Sequence, residues 1–380
     1  MLLARERVRQ VQTEQVRTAQ RRRGAPAELA PKAKAPSLDA SAIAHQYWLE
    51  TEERESIEEL LDDLLPEYGA AESEQFLDWA PVLAHELPAG VKRFLNDVRL
   101  DESAGVILIR ANAIDAEAIG PTPPHWTEAR TPETIRYEML LVLYGSLLGD
   151  VFGWATQRDG QIVHDVLPVQ GDEGTQLGTS STVELTYHTE EAFHPYCADY
   201  VGLLCLRNPA RAATMIGAVD DAEVRAEIGE VLRQPRFLIR PDSSHLPEHN
   251  NAGWAGDEGE DVFRAVDELL RSPQPVPVLY GHPAAPTLRI DPQFMDVVDG
   301  DHEAAQAFSQ FQEALEGELQ DLVLQEGDVC FIDNLRVVHG RRAFAARYDG
   351  SDRWLKRINV TRDLRKSRSM RRSSRSRVIG

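Results

Sequence analysis

The sequence predicts an α+β protein whose heart is a β-sandwich or a jelly roll (double-stranded β-helix), with flanking helices. Three observations predict it. Short apolar and β-branched runs, separated by Gly, Pro and Asp, are dispersed from Gly105 to Ile332, which implies a sheet closed by pairings distant in sequence. Ahead of them, apolar residues recur at three- and four-residue spacing, the period of a helix with one buried face. The 380 residues are 42% hydrophobic, enough for one large core and too apolar for a disordered chain.

Taken in order, residues 1–37 are Arg- and Gln-rich and then Ala- and Pro-rich, and read as a disordered or partly helical extension. Two or three amphipathic helices follow between Ala40 and Asn96, marked by Ile57, Leu60, Leu61, Leu64 and Leu65 and by Phe76, Trp79, Val82 and Leu83. Strands are expected at 105–110, 182–186, 200–206, 237–240, 275–280, 288–290 and 329–332, with helices at 131–149 and 301–322. Residues 159–182 and 241–261 read as long loops, either ordinary surface or segments that close over an active site. A single domain is expected over 38–365, with a basic flexible tail at 366–380. Most tryptophans read as core, Trp154 being the one nearest the chemistry described below.

The formal charge is -21, from 41 Lys and Arg against 62 Asp and Glu, but both ends are basic, about +13 together, which leaves about -34 on the body. So acidic a surface repels phosphate backbones and anionic lipid, so neither nucleic acid nor membrane is an expected partner. Three cysteines, Cys197, Cys205 and Cys330, have no metal-ligand spacing and are odd in number, against a disulfide scaffold. No apolar run approaches the length of a membrane span, and charged residues interrupt the N-terminus where a signal-peptide core would lie. A cytoplasmic monomer or homodimer is expected.

The informative stretch is Tyr187-His188-Thr189-Glu190-Glu191-Ala192-Phe193-His194. Residues i and i+2 of a strand point to one face, so His188 and Glu190 can present an imidazole nitrogen and a carboxylate oxygen to one point. By itself the triplet reads as an exposed strand-end pair. A distant third ligand would make a two-histidine, one-carboxylate metal site with open positions. His339 follows a second apolar strand, and Arg353 lies fourteen residues beyond it, where a returning strand can place a guanidinium beside the metal to grip a carboxylate in two hydrogen bonds.

These segments resemble the clavaminate synthase-like branch of the Fe(II) and 2-oxoglutarate-dependent oxygenases, and within it the free amino acid hydroxylases of arginine, lysine and asparagine. The resemblance rests on His188-Thr-Glu190-Glu-Ala-Phe-His194, on Asp333-Asn-Leu-Arg-Val-Val-His339-Gly-Arg341 and on Arg353-Trp-Leu-Lys-Arg357, and spans about 100–365. It implies that His188, Glu190 and His339 bind Fe(II), that Arg353 binds the distal carboxylate of 2-oxoglutarate with Thr214 as a second contact, and that O2 is the other cosubstrate. It further implies that Gln157 and the outer oxygen of Glu190 take the substrate amine, that Arg357 takes its carboxylate, and that Asp291 faces its side chain. Gln293 stands where the arginine hydroxylases carry a second acid. The implied reaction is hydroxylation of an unactivated C3 or C4 carbon of a basic free L-amino acid in specialised metabolism. The rivals are the same chemistry on a carrier-tethered aminoacyl group, and a jelly-roll binding protein without catalysis.

Overall fold

Two sheets carry the molecule, a computed structural model that describes residues 44–101, 105–218, 225–250, 257–283 and 285–380. The larger has eight strands: β1 (Ala44–Trp48), β2 (Val106–Arg110), β3 (Asp150–Trp154), β4 (His164–Val166), β6 (Tyr200–Arg207), β9 (Val329–Asp333), β11 (Trp354–Thr361) and β12 (Val378–Ile379). Their order is β1-β2-β9-β6-β11-β3-β12, with β4 also paired to β11. The smaller contains β5 (Leu185–His188), β7 (Thr214–Ala218), β8 (Gln320–Leu322) and β10 (Val337–Arg341), ordered β8-β7-β10-β5.

Alternation along the strands builds two cores at once. Val106 and Leu108 face the smaller sheet, where they meet Leu203, Cys205, Ile216, Cys330 and Leu355. Ile107 and Ile109 face the other way, onto a helical layer with Leu204, Phe331 and Ile358. That layer comprises α1 (Thr51–Tyr68), α2 (Glu74–Leu83), α3 (Ala89–Leu100) and α4 (Pro132–Ser146). Helix α4 lies between the sheet and the other helices and is buried without a break from Tyr137 to Gly145. Its start is fixed by Pro132 in the first turn and by reciprocal Thr131 and Thr134 side-chain caps. Gly145 lets it touch the sheet: a Cβ there would lie 2.7 Å from the Ile358 side chain. Helices α5 (Ala226–Leu232) and α6 (Asp257–Arg271) follow in the chain. On the outside of the smaller sheet, α7 (His302–Gly317) packs Ala304, Phe308, Phe311 and Leu315 against Val338 and Tyr187.

The predicted fold class is the observed one, with local corrections. Residues 44–48, read as helical, form β1, which runs parallel to β2. The strand expected at 182–186 begins at Leu185, and the helix expected to reach 322 stops at Gly317 so that 320–322 can pair with β7. Within the 159–182 loop, 164–166 form β4 on β11.

The tail expected to be flexible at 366–380 is instead packed. Ile379 is buried beside Phe152 and Trp154, and β12 runs parallel to β3. Arg371 holds the turn by donating to the carbonyls of Ser373, Ser374 and Ser376, which accounts for order in so polar a segment. The compact unit that holds the described residues runs to Gly380, past the expected boundary at 365. The extension expected at 1–37 lies outside the described residues. Among the described residues no helix is long and apolar enough to cross a membrane, and all three cysteines are free.

Candidate active site

Strands β5 and β10 are antiparallel neighbours, and their register sets His188 directly opposite His339. Directly opposed residues on one face of a sheet have adjacent side chains, and the two imidazole centroids are 4.7 Å apart. Glu190 lies just past the end of β5, in a turn rather than in the strand itself. Asn334 fixes that turn, accepting from the Glu190 amide at 2.6 Å and donating to its carbonyl at 3.1 Å. The Glu190 carboxylate thereby returns to the histidines, with Oε2 3.3 Å from His339 Nε2 and 3.6 Å from His188 Nε2. Ligand atoms of all three residues lie within 4.8 Å of one another.

The donor set suits a divalent cation. His188 Nδ1 donates to the Thr186 carbonyl at 2.8 Å, which leaves Nε2 toward Glu190. Burial opposes protonation of His188, yet the Glu190 hydrogen bond and the charges of Asp291 and Glu190 outweigh it and raise its pKa to about 9. Burial lowers that of His339. Burial also works against the charge of Glu190, but Arg357 and the two histidines hold its carboxyl well below the usual range. Two imidazoles and one carboxylate converging on a point that attracts positive charge fit Fe(II), with coordination positions left for other ligands.

Leading into β11, Arg353 is followed by alternate residues Leu355 and Arg357, and these three line the same cavity of about 360 Å³. Arg353 is buried with Nη2 3.5 Å from Thr214 Oγ1, its Nε has no hydrogen-bond partner, and among the described residues no carboxylate pairs with it. Burial brings its pKa down to about 10. A buried guanidinium without an anion is set up to bind one, and its planar fork suits a carboxylate. Arg341 nearby is already committed to Ser180 and the Val183 carbonyl.

Arg357 is differently placed. It donates to Glu190 Oε1, to Gln157 Oε1 at 2.9 Å and to His164 Nδ1 at 2.8 Å. His164 Nε2 faces the Gln161 carbonyl at 2.9 Å, and burial, then Arg357 and Arg158, push its pKa well down, so it is a neutral acceptor. Glu190 therefore turns one oxygen to the histidines and the other to Arg357. Asp291 lies further along the cavity; burial raises its pKa to about 6, with Asp242 adding to the effect and His188 opposing it.

A family model for the taurine catabolism dioxygenase TauD, TfdA family matches residues 142–359. The chain belongs to the TauD/TfdA family. It is 43% identical over 342 residues to an L-ornithine/L-arginine 3-hydroxylase of Catenulispora acidiphila, across 88% of this chain and 99% of that one. It is also 43% identical over 339 residues to an enduracididine beta-hydroxylase of Streptomyces hygroscopicus, across 87% and 98%. Among solved structures, the non-heme iron oxygenase OrfP in complex with Fe, succinate and (3S)-hydroxy-L-Arg matches with a TM-score of 0.85 at 42% identity, covering 88% of this chain and all of that one. This TauD/TfdA member is an iron- and 2-oxoglutarate-dependent dioxygenase.

All eight residues singled out in the sequence, His188, Glu190, His339, Arg353, Thr214, Gln157, Arg357 and Asp291, line the one cavity. Trp154 does not line it; it packs in the core against Phe152 and lies against His194, ring centroids 4.3 Å apart with the planes tilted by 58°. Sequence reasoning missed His164, Glu191, Asp242, Ser244 and His245. The last three fall in a stretch read as loop, and Asp242 and Ser244 face the cavity. Arg158, which lies over the Trp126 ring at 4.4 Å, was also missed. No fixed spacing links any of them to His188, and only Glu191 lay within the motif.

Proposed function

We propose that the enzyme hydroxylates a free basic L-amino acid of the arginine or ornithine type at C3, with His188, Glu190 and His339 holding Fe(II) and Arg353 and Thr214 holding 2-oxoglutarate. The observation that carries the reading is the Arg357 and Glu190 pair. A cation and an anion in hydrogen-bond contact beside the metal triad are the counterparts of a zwitterion, which can insert its carboxylate at Arg357 and its ammonium at the outer oxygen of Glu190. Gln157 Oε1, already on Arg357, offers an uncharged acceptor to the same ammonium.

Holding the α-substituents this way would turn C3, the side-chain carbon next to them, toward a metal held by His188, Glu190 and His339. When iron(II) and 2-oxoglutarate are bound they supply the oxidation: O2 is consumed, 2-oxoglutarate becomes succinate and CO2, and one oxygen atom enters a C–H bond. The chain's residues choose the bond by holding one carbon in place. Asp291 and Asp242 suit the distal cation. One Asp291 oxygen takes the Gln293 amide at 3.0 Å and one Asp242 oxygen takes the Ser244 amide at 2.7 Å, so each carboxylate has an oxygen to offer. A bound guanidinium or ammonium would favour the charged form of Asp291, which burial disfavours. The relatives named for ornithine, arginine and enduracididine hydroxylation support the same class.

The test is incubation of the enzyme with Fe(II), 2-oxoglutarate, O2 and L-arginine, L-ornithine, L-lysine or L-asparagine, read as succinate formed and a one-oxygen mass gain. Arginine or ornithine is expected to react fastest, with oxygen at C3 by NMR. Turnover only of a carrier-bound aminoacyl group would overturn the proposal.

A further inference from the structure

Glu190 and Glu191 are consecutive buried carboxylates that point to different partners. The backbone at Glu191 has φ of 53°, a left-handed conformation costly for a side chain of this kind, and it sits at a turn that sends the second carboxylate away from the histidines. Glu191 Oε1 accepts from Gln157 Nε2 at 2.9 Å, while Oε2 meets His245 Nε2. The other imidazole nitrogen, Nδ1, is 2.7 Å from Thr156 Oγ1. Gln157 Nε2 also reaches Ser244 Oγ at 2.7 Å, and its Oε1 accepts from Arg357.

An amide can present either end to a cavity, and here the wrong end would fail. With nitrogen inward, Gln157 would set a donor against the Arg357 guanidinium and against an incoming ammonium, both of which only donate. Whichever of Glu191 and His245 holds the proton between Oε2 and Nε2, Oε1 carries none and remains an acceptor. Together with the donor-only Arg357 on the other side, it therefore selects the orientation in which the Gln157 nitrogen points outward and the oxygen faces the cavity.

We propose that Glu191, held by His245, is a positioning residue that locks the Gln157 amide with its oxygen toward the α-ammonium of the substrate. The inference rests on the free amino acid reading above and adds to it the part of the site that recognises the amine. Glu191 touches neither iron nor substrate in this role; it acts through Gln157.

The test compares wild type, Glu191→Gln, Gln157→Glu and the double exchange, using L-arginine and 5-guanidinopentanoate, which lacks the α-amine. Glu191→Gln replaces the pure acceptor behind the Gln157 amide by a group that can also donate, which leaves its orientation held chiefly from the Arg357 side, so KM for L-arginine is expected to rise roughly tenfold, the scale of one hydrogen bond to a charged group. The 2-oxoglutarate KM and the affinity for 5-guanidinopentanoate should stay unchanged. In the double exchange, the amide now at position 191 can accept from His245 and donate to the carboxylate now at position 157. That carboxylate again shows an oxygen to the cavity, so L-arginine KM should return toward the wild-type value. A rise shared equally by both ligands, or no rescue, would overturn the inference.

A second readout needs no substrate: the side-chain NH2 signals of Gln157 should be protected from hydrogen exchange in wild type and lose protection in Glu191→Gln. Unchanged protection would also overturn it. A wild-type enzyme that binds no free amino acid, while this signal still depends on Glu191, would refute the proposed function and with it the ammonium contact.

Discussion

Strand β11 carries cations on both faces, and the two faces treat them in opposite ways. On the helix side, Lys356 is completely buried and bonds to Glu138 Oε1 at 2.8 Å and to Asp165 Oδ1 at 2.6 Å. Asp165 also accepts from Trp354 Nε1 at 2.7 Å, and Arg130 approaches Glu138 at 3.4 Å. On the cavity side, Arg353 is buried with no carboxylate partner among the described residues. A charge the protein neutralises itself serves the fold, whereas one left to be neutralised from solution serves binding. Arg357, bonded to Glu190 and Gln157, stands between these cases.

The largest effect should come from Lys356→Met. It strands Asp165 and part of Glu138 in a buried layer, a break that costs about 3 to 5 kcal/mol. Denaturant unfolding should show that loss, while the 2-oxoglutarate KM of the protein that remains folded stays near the wild-type value. A variant as stable as wild type would show that the helix-side cation is as dispensable as the unpaired one.

The same contrast explains what could be read in the sequence. His188, Glu190, His339, Arg353 and Arg357 answer to the geometry of small ligands, so they recur as short local patterns on strands. Lys356 and Glu138 are 218 residues apart and meet only because α4 lies on β11. Glu191 and His245 are 54 apart and the histidine sits in a stretch with no periodicity, so nothing local couples them. The C-terminal segment failed for a related reason. Its Ser and Arg composition signals solvent, but Arg371 turns the serine carbonyls inward and Ile379 supplies the apolar contact that composition alone underweights. Strand β1 was hidden because five residues beside a long amphipathic pattern share no distinct period with it.

Arg353→Met should have the next largest effect, and on a different observable. Its guanidinium gives up no protein anion when the cosubstrate binds, so nearly the whole ion pair counts, and the 2-oxoglutarate KM should rise about 100-fold. Stability should move the other way from Lys356→Met. The folded state lowers the pKa of Arg353 to about 10 while the unfolded chain keeps the higher, ordinary arginine value, so the unfolded chain binds the proton more tightly and the charge opposes folding at neutral pH. Its removal should leave the unfolding midpoint unchanged or higher. A fall like that of Lys356→Met would erase the distinction between the two faces.

Arg357→Met should produce the smallest change in affinity, because here binding is an exchange. In the free enzyme the guanidinium already donates to Glu190, Gln157 and His164, and the substrate carboxylate replaces part of that set. Only the difference between the two sets contributes to affinity, about that of one charged hydrogen bond, so the amino acid KM should rise about tenfold. The 2-oxoglutarate KM should not change, since Arg353 is intact. Selectivity sharpens the test beyond the KM itself. Wild type should prefer L-arginine to L-argininamide, whose neutral carboxamide compensates Arg357 less well for the partners it gives up, and Arg357→Met should treat the two nearly alike. If the preference survives, the carboxylate is read elsewhere in the cavity, and Arg158, over the Trp126 ring, is a cation lining it with no role assigned above.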